Sequence, residues 1–253
     1  MEQQLSVIIT TFNEAENIAR CLESVVDIAT DILIVDSFST DNTIEIASSY
    51  PHVRIEERVY KGPADQKNWA IPQAQHEWIL LLDADEVATP ALQKEITQML
   101  QQPTEPEADA YWIGRDNFFM GQQIRYSGWQ GDRVVRFFHR DRARYDAVQV
   151  HEEIVTDGLN VAELTARLEH YTFRNLEHYL DKTRRYARWS AQDHAAKTPK
   201  VTYFHLLLKP LFRFWKHFVI QQGFRDGKVG FIVSAIMAWG VFLRYAYLHE
   251  SAN

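Results

Sequence analysis

The chain has 253 residues, of which 46% are hydrophobic and 24% charged, and its formal net charge is −7. This composition excludes a disordered chain, and the length suits one large domain or one domain with an appendage. The single cysteine, Cys21, cannot form an intrachain disulfide, which argues against a disulfide-stapled secreted scaffold and favours a reducing cytosol. The acidic net charge argues against nucleic acid as the main partner.

Short apolar runs alternate with helical patterns over the first hundred residues, which is typical of β-α units around a parallel sheet. The pattern predicts strands at 5–10, 31–36, 52–59 and 78–83. It predicts helices after a capping box at Asn13 and Glu16, over 42–49, and from Thr89 to about residue 101. The only glycine in the first 113 residues is Gly62, so the glycine-rich phosphate turns of P-loop ATPases and NAD dehydrogenases are missing.

From about residue 108 the sequence changes to aromatic segments punctuated by glycine. Residues 110–119, 125–128 and 133–140 are interpreted as strands and loops that cover one end of the sheet, and 175–196 as a helix. Residues 197–253 carry eight basic and two acidic residues, a net charge of +6 that leaves −13 on the remainder.

The basic tail contains two apolar segments. Residues 203–222 mix leucine, phenylalanine and tryptophan with lysine and arginine, and 229–243 carry no charge. Fifteen residues fall short of the roughly 20 that a spanning helix needs. We therefore expect helices that lie in a membrane interface, while buried core helices and a true membrane span remain alternatives.

An Asp-x-Asp motif gives the strongest chemical signal. Asp83 and Asp85 follow the apolar run 78–82 and would lie at the carboxyl edge of the sheet, where α/β folds bind ligands. Carboxylates that converge there repel one another unless a divalent cation lies between them. Solvated acids at the end of a strand are the alternative.

Polar residues also follow the first two predicted strands, at 10–14 and 36–41. Hydroxyl and carboxylate groups at these positions could hold a base and a ribose. Each segment taken alone also fits ordinary turn and cap chemistry. Together with the Asp-x-Asp motif, the two segments line one predicted sheet edge.

Four segments together resemble family 2 of the inverting glycosyltransferases: Thr10-Thr11-Phe12-Asn13-Glu14, residues 35–43, Gln66-Lys67-Asn68-Trp69-Ala70 and Leu82-Asp83-Ala84-Asp85-Glu86. Residues 132–140, Val150-His151-Glu152, 209–214 and 223–231 are similar to the branch with lipopolysaccharide core β-1,4-glucosyltransferases. Phe38 departs from the pattern, because the family usually has glycine there.

The resemblance implies an α/β GT-A fold, a Rossmann-like and mostly parallel sheet flanked by helices, with a C-terminal amphipathic helical appendage. The catalytic domain would span 1–174, with a nucleotide-sugar half over 1–107 and an acceptor half over 108–174. Residues 175–253 would form the helical, basic, membrane-associating region.

The resemblance also implies residue roles at the donor site. Asp85 would be the first ligand of Mg²⁺ or Mn²⁺, with Asp83 toward the metal or the ribose and His151 completing the metal site or orienting the base. Thr10 and Asp36 would hold the nucleotide base, and Lys67 would meet a phosphate or the ribose. Phe12, Asn13 and Glu14 are assigned to the same nucleotide-sugar site.

Inversion at the anomeric carbon needs a carboxylate that deprotonates the acceptor hydroxyl. Glu152 is the preferred base and Asp132 the second candidate. Trp129, Arg133 and Arg136 are assigned to acceptor binding.

The function implied is transfer of a hexose, with UDP-glucose as the favoured donor, to a lipid-linked glycan such as the lipopolysaccharide inner core. The tail would hold the enzyme, as a peripheral protein, on the anionic cytoplasmic face of a bacterial inner membrane. Three alternatives remain. The enzyme could transfer another sugar to a different cell-envelope glycan, or the chain could be a non-catalytic membrane-associated scaffold of the same fold. It could also be a nucleotidyltransferase, although such enzymes usually have a glycine-rich loop after the first strand and this chain has none.

Overall fold

The computed structural model describes residues 3–146, 153–195, 198 and 200–251. In these residues a mixed sheet is built from nine strands: β1 (Leu5–Thr11), β2 (Asp31–Asp36), β3 (Val53–Glu57), β4 (Trp78–Asp83), β5 (Glu86–Ala88), β6 (Ala110–Phe119), β7 (Gln122–Gln123), β8 (Arg133–His139) and β9 (Val161–His170). The α-helices are α1 (Ile18–Glu23), α2 (Thr43–Ala47), α3 (Pro63–Ala70), α4 (Pro90–Leu100), α5 (Leu176–His194), α6 (Lys209–Trp215) and α7 (Gly227–Glu250).

The sheet has the strand order β3-β2-β1-β4-β8-β6-β9-β5, with β7 paired to β6. Strands β3, β2, β1 and β4 are parallel, while β8 runs antiparallel to β4 and to β6. The predicted parallel sheet is therefore confirmed for the first four strands, and antiparallel strands extend it.

Helices cover both faces of the parallel strands. Alternate residues of β1 separate into two cores, with Val7 and Ile9 in one and Ile8 in the other. The continuous apolar runs of β1, β2 and β4 follow from this double burial, since a strand covered on both faces has no solvent side.

Local sequence explains where the long helices begin. The Thr89 hydroxyl accepts a hydrogen bond from the Leu92 amide at 3.2 Å, and Pro90 opens α4. The Asn175 side chain caps α5 in the same way by accepting from the His178 amide at 2.8 Å. The predicted start of this helix at Thr89 is thus confirmed, and the Thr89 side-chain oxygen satisfies an otherwise unpaired amide in the first turn.

The predicted capping box at Asn13 and Glu16 is wrong. Helix α1 begins at Ile18 after Asn17, and Asn13 instead adopts a left-handed conformation with φ of 54°. Helix α3 and strand β9 were not predicted. Five of the ten residues of strand β9 are polar or charged, and the strand contains no long apolar run. The hydrophobic pattern therefore does not indicate a strand here.

The chain divides into two compact units. The first contains the described residues of Met1–Arg115 and Asp132–His170, and the second those of Asp116–Gly131 and Tyr171–Asn253. The second unit includes α5, α6, α7 and two π-helical turns, Phe204–Leu208 and Lys216–Ile220.

One described helical segment, Gly223–Glu250, is long and apolar enough to cross a membrane, with mean hydropathy 1.7 and a third of its most apolar window buried within the protein. Length and composition do not by themselves distinguish a spanning helix from a core helix.

Candidate active site

The parallel strands bring three predicted donor-site residues to one edge. In the β1–β4 register Thr10 lies opposite Asp83, and in the β1–β2 register Thr11 lies opposite Asp36. The Thr10 hydroxyl donates a hydrogen bond to Asp83 Oδ1 at 3.0 Å. The carboxyl ends of β1, β2 and β4 therefore form one polar edge, where sheets of this kind bind ligands.

The turns after β1 and β2 are bonded to each other through Asn13. Its backbone amide donates to Ser39 Oγ at 2.8 Å, and its side-chain oxygen accepts from the Thr40 amide at 2.7 Å. Asp36 is fully buried and accepts from the Ser39 amide at 2.7 Å. Asn13 and Asp36 thus fix the shape of this corner, whatever they contribute to a ligand.

Phe12, Glu14 and Phe38 complete this corner. Phe12 is 55% exposed, and Glu14 accepts a hydrogen bond from the Asn17 side chain at 2.6 Å. Phe38 has a φ of 63°, a conformation that favours glycine, and it is 49% exposed. The turn therefore adopts a glycine-type geometry although phenylalanine occupies the position.

Asp83 is held by two cations. Lys67, buried on α3, places its Nζ 3.2 Å from Asp83 Oδ1, and Arg136 of β8 donates to Asp83 Oδ2. Burial would raise the pKa of Asp83, but the charges of Arg136 and Lys67 and the hydrogen bonds from Lys67 and Thr10 hold that pKa well below its usual range. The carboxylate is therefore ionised.

Asp83 belongs to a larger buried ion network. Glu86 is fully buried and accepts from Arg136 Nε at 2.9 Å and from Arg115 Nη1 at 3.2 Å. Arg115 also donates twice to Asp132, from Nε at 3.0 Å and from Nη2 at 2.8 Å. We call this set the buried ion network; its members are Lys67, Asp83, Glu86, Arg115, Asp132 and Arg136.

Asp85 and His170 form a second polar pair beside the network. Strand β5 pairs with β9 so that Glu86 lies opposite His170, which places His170 Nε2 3.6 Å from Asp85 Oδ2. No three histidine, cysteine or acidic side chains among the described residues cluster closely enough to hold a metal by themselves. A carboxylate with one imidazole still fits a cation that takes its other ligands from substrate phosphates and water.

A cleft of about 250 Å³ opens beside the network. Its lining includes Trp112, Asp132, Arg133 and Glu153. The Arg133 guanidinium lies 4.9 Å from the centre of the Trp112 ring and pairs with Glu163 at 2.9 Å. The cleft thus combines an aromatic face with carboxylates of both Asp132 and Glu153.

Two predicted residues, His151 and Glu152, lie outside the described residues. Trp129 belongs to the second unit, where it packs against Phe173 and Tyr179 with ring centres 6.0 and 6.2 Å apart. Of the residues assigned to catalysis and acceptor binding, the first unit brings together Asp132, Arg133 and Arg136 at the cleft.

The segment that carries Trp129 is anchored within the second unit by Asp226. The Asp226 carboxylate accepts from the amides of Arg125 and Tyr126 at 3.1 and 3.0 Å, and from the Ser127 hydroxyl at 2.9 Å. Residues 125–127 form a turn and not a strand, so this buried carboxylate supplies the hydrogen-bond acceptor that their donors need.

Sequence reasoning missed three contributors to the site. Glu86 follows the Asp-x-Asp motif and had no assigned role. Arg115 lies in β6 between the apolar run 110–114 and Asp116, and His170 ends the unpredicted strand β9. A charged residue inside a buried strand was an available signal for Arg115, because such a charge needs a partner.

Comparison with known proteins agrees with this architecture. An uncharacterised glycosyltransferase of Rickettsia felis is 29% identical over 98% of this chain and 90% of its own length. The lipopolysaccharide core biosynthesis glycosyltransferase LpsC of Rhizobium meliloti is 28% identical over 97% of this chain and 92% of its own length.

Among solved structures, S. aureus TarS 1–349 in complex with UDP-GlcNAc matches with a TM-score of 0.50 and 14% identity, covering 98% of this chain and 91% of that one. This likeness shows a GT-A fold. The model of the family described as "Glycosyl transferase family 2" matches residues 6–160. The chain is therefore a transferase that belongs to glycosyl transferase family 2.

Proposed function

We propose that the protein is an inverting, metal-dependent transferase that moves a hexose, with glucose from UDP-glucose favoured, to a lipid-linked glycan of the lipopolysaccharide inner-core type. The observation that carries the proposal is the polar edge itself, where ionised Asp83 lies with Lys67, Thr10 and Arg136 next to the Asp85–His170 pair. The resemblance to LpsC supports the acceptor class, and the TarS complex supports a UDP-sugar donor.

The residues at the edge suit a nucleotide diphosphate. Thr10 and Asp36 would orient the base and ribose, and Lys67 would offer its ammonium group to a phosphate while Arg136 holds Asp83. A divalent cation held by Asp85, with His170 beside it, would stabilise the negative charge of the departing pyrophosphate. His151 is kept as an additional ligand or as a group that orients the base.

Transfer with inversion needs one carboxylate that acts as the base. This base, Glu152 or Asp132, accepts the proton of the acceptor hydroxyl while the oxygen bonds to the anomeric carbon, and the bond from that carbon to the phosphate oxygen breaks with its electron pair leaving on UDP. Both oxygens of Asp132 already accept from Arg115, which favours Glu152. Trp112 and Arg133 line the cleft and would present the acceptor sugar. Trp129, which the resemblance assigns to acceptor binding, lies in the second unit.

Asp85→Asn tests the donor site. We expect turnover of UDP-glucose with Mn²⁺ to fall by about 100-fold or more, because charge stabilisation of the leaving group is lost. Calorimetry should also show that Mn²⁺ no longer strengthens the binding of UDP. Asp27→Asn, an exposed change in the first unit, is the matched control. Unchanged metal dependence in Asp85→Asn would refute the assignment.

We further propose that residues 175–253 hold the enzyme on the anionic inner face of a bacterial membrane. The second unit exposes large apolar side chains over residues 203–224, among them Tyr203 at 81%, Phe212 at 64% and Leu211 at 60%. Exposed apolar surface of this extent usually marks a membrane or protein contact, and the basic residues of the tail favour anionic lipid.

Leu211→Glu tests the membrane contact, and Val59→Glu is the matched control. The two side chains are 60% and 62% exposed, but Leu211 lies in the second unit and Val59 in the first. Flotation with anionic vesicles should weaken by about tenfold or more for Leu211→Glu, since a buried leucine contributes about 1.5–3 kcal/mol and the new charge is repelled. Equal losses in the two variants would refute a contact through this region.

A further inference from the structure

Four basic side chains line a groove of about 600 Å³ in the second unit. Lys209, Arg213 and Lys216 come from successive turns of one helical segment, and Arg244 comes from α7. Spacings of four and three residues place the first three on one helical face. We call this site the basic groove.

The basic groove holds its cations without acidic partners. Across the residues that the structure describes, no carboxylate forms an ion pair with any of the four. Lys209 donates to the Tyr245 hydroxyl at 2.6 Å, Arg213 contacts His217 Nε2 at 3.2 Å, and the buried Arg244 Nε has no hydrogen-bond partner. Burial, together with the charge of Arg244, lowers the pKa of Arg213. An anion in the groove would relieve this repulsion.

The walls of the basic groove are apolar and open to solvent. Phe204, Leu208 and Phe212 line it and are 55%, 53% and 64% exposed. Lys209 reaches Tyr245 of α7 and Arg244 comes from α7 itself, while exposed apolar side chains flank these cations. Such a site suits a ligand with an anionic head and apolar chains.

We propose that the basic groove binds the phosphomonoester headgroup of a membrane lipid, whose acyl chains lie against the exposed phenylalanine and leucine side chains. A phosphomonoester carries a charge of about −1.5 to −2 at neutral pH, which matches a cluster of cations better than a singly charged phosphodiester does. Two arginines can each bind phosphate through paired N–H groups. The inference rests on the proposed membrane association and names the lipid chemistry that it would select.

The test compares vesicles that contain phosphatidic acid with vesicles that contain phosphatidylglycerol, matched for surface charge. The full chain should bind the phosphatidic acid vesicles about tenfold more tightly, because the second negative charge adds a charge-assisted contact to the arginines. Arg213→Gln/Arg244→Gln should abolish this preference. Lys200→Gln/Lys228→Gln removes the same charge from exposed positions outside the groove and should keep it.

Equal binding of wild type to both vesicles, or an unchanged preference in Arg213→Gln/Arg244→Gln, would overturn the proposal. Thermal melting by circular dichroism checks that the double variant is folded; if it is not, Arg244→Gln alone carries the test. Binding is measured without sugar nucleotide, so the result stands whether or not the protein transfers glucose. Wild type that binds both anionic vesicles equally but not neutral ones would leave membrane association intact and remove only the headgroup site.

Discussion

In the first unit every carboxylate of the buried ion network is bonded to arginine or lysine, whereas in the second unit the cations of the basic groove have no acidic partner among the described residues. Both arrangements hold charges at least partly away from water, which costs free energy, although Lys216 of the groove is exposed. The network offsets part of this cost within the chain through short ion pairs. The groove does not, and a charge left uncompensated in a fold is a reason to look for a ligand.

Arg136→Met should give the largest effect, because it leaves Glu86 and Asp83 without their shared partner. Removing one side of a buried ion pair costs about 3–5 kcal/mol. We expect the free energy of unfolding, measured with urea, to fall by that amount. Arg133→Met is the matched control on the same strand, since its ion pair with Glu163 is exposed and should contribute about 1 kcal/mol or less.

A loss in Arg136→Met no larger than in Arg133→Met would show that the network does not hold the sheet edge. A large loss accompanied by unchanged secondary structure at low urea would show that the network stabilises a fold that still forms without Arg136.

The sequence predicted the parallel half of the sheet well and the network poorly. Strands β1, β2 and β4 are mainly apolar runs. Such strands are easy to recognise in a sequence because both of their faces are buried and neither face requires polar side chains. The partners Glu86–Arg136 and Arg115–Asp132 are 50 and 17 residues apart and depend on pairing of β8 with β4 and β6. No local pattern encodes that register, so the ion pairs of Arg136 and Arg115 could not be predicted from the sequence.

His217 in the second unit gives a smaller, pH-dependent effect. Burial lowers the pKa of His217, aided by Arg213 and Lys216 and opposed by its hydrogen bond to the Ser127 carbonyl at 2.7 Å. Its folded-state pKa therefore lies below the unfolded value of about 6.5, so the unfolded chain binds the proton first as the pH falls. Stability contributed by neutral His217 is present above about pH 6.5 and is lost as the pH falls through the lowered folded-state pKa.

Urea unfolding at pH 7.5 and pH 5.0 checks this sign. Wild type should lose more stability between the two pH values than His217→Asn, with each unit of pKa difference worth about 1.4 kcal/mol. Equal losses in the two proteins would mean that other groups cause the acid sensitivity. A larger loss in wild type would show that burial, together with the neighbouring cations Arg213 and Lys216, disfavours a positive charge on His217.

Arg244→Met should give the smallest change, and its sign is opposite to that of Arg136→Met. Arg244 has a buried Nε without a hydrogen bond and stands close enough to Arg213 to lower the pKa of that residue. Methionine keeps the apolar length of the side chain and removes the charge, so we expect the free energy of unfolding to rise by about 0.5–1 kcal/mol. Arg244→Lys keeps the charge and should show no such gain. Urea unfolding of the three proteins measures this, and a loss in Arg244→Met would mean that the groove is stabilised as it stands. A gain would instead mean that the fold tolerates Arg244 at a cost in stability, which is the pattern expected of a residue retained to bind an anion.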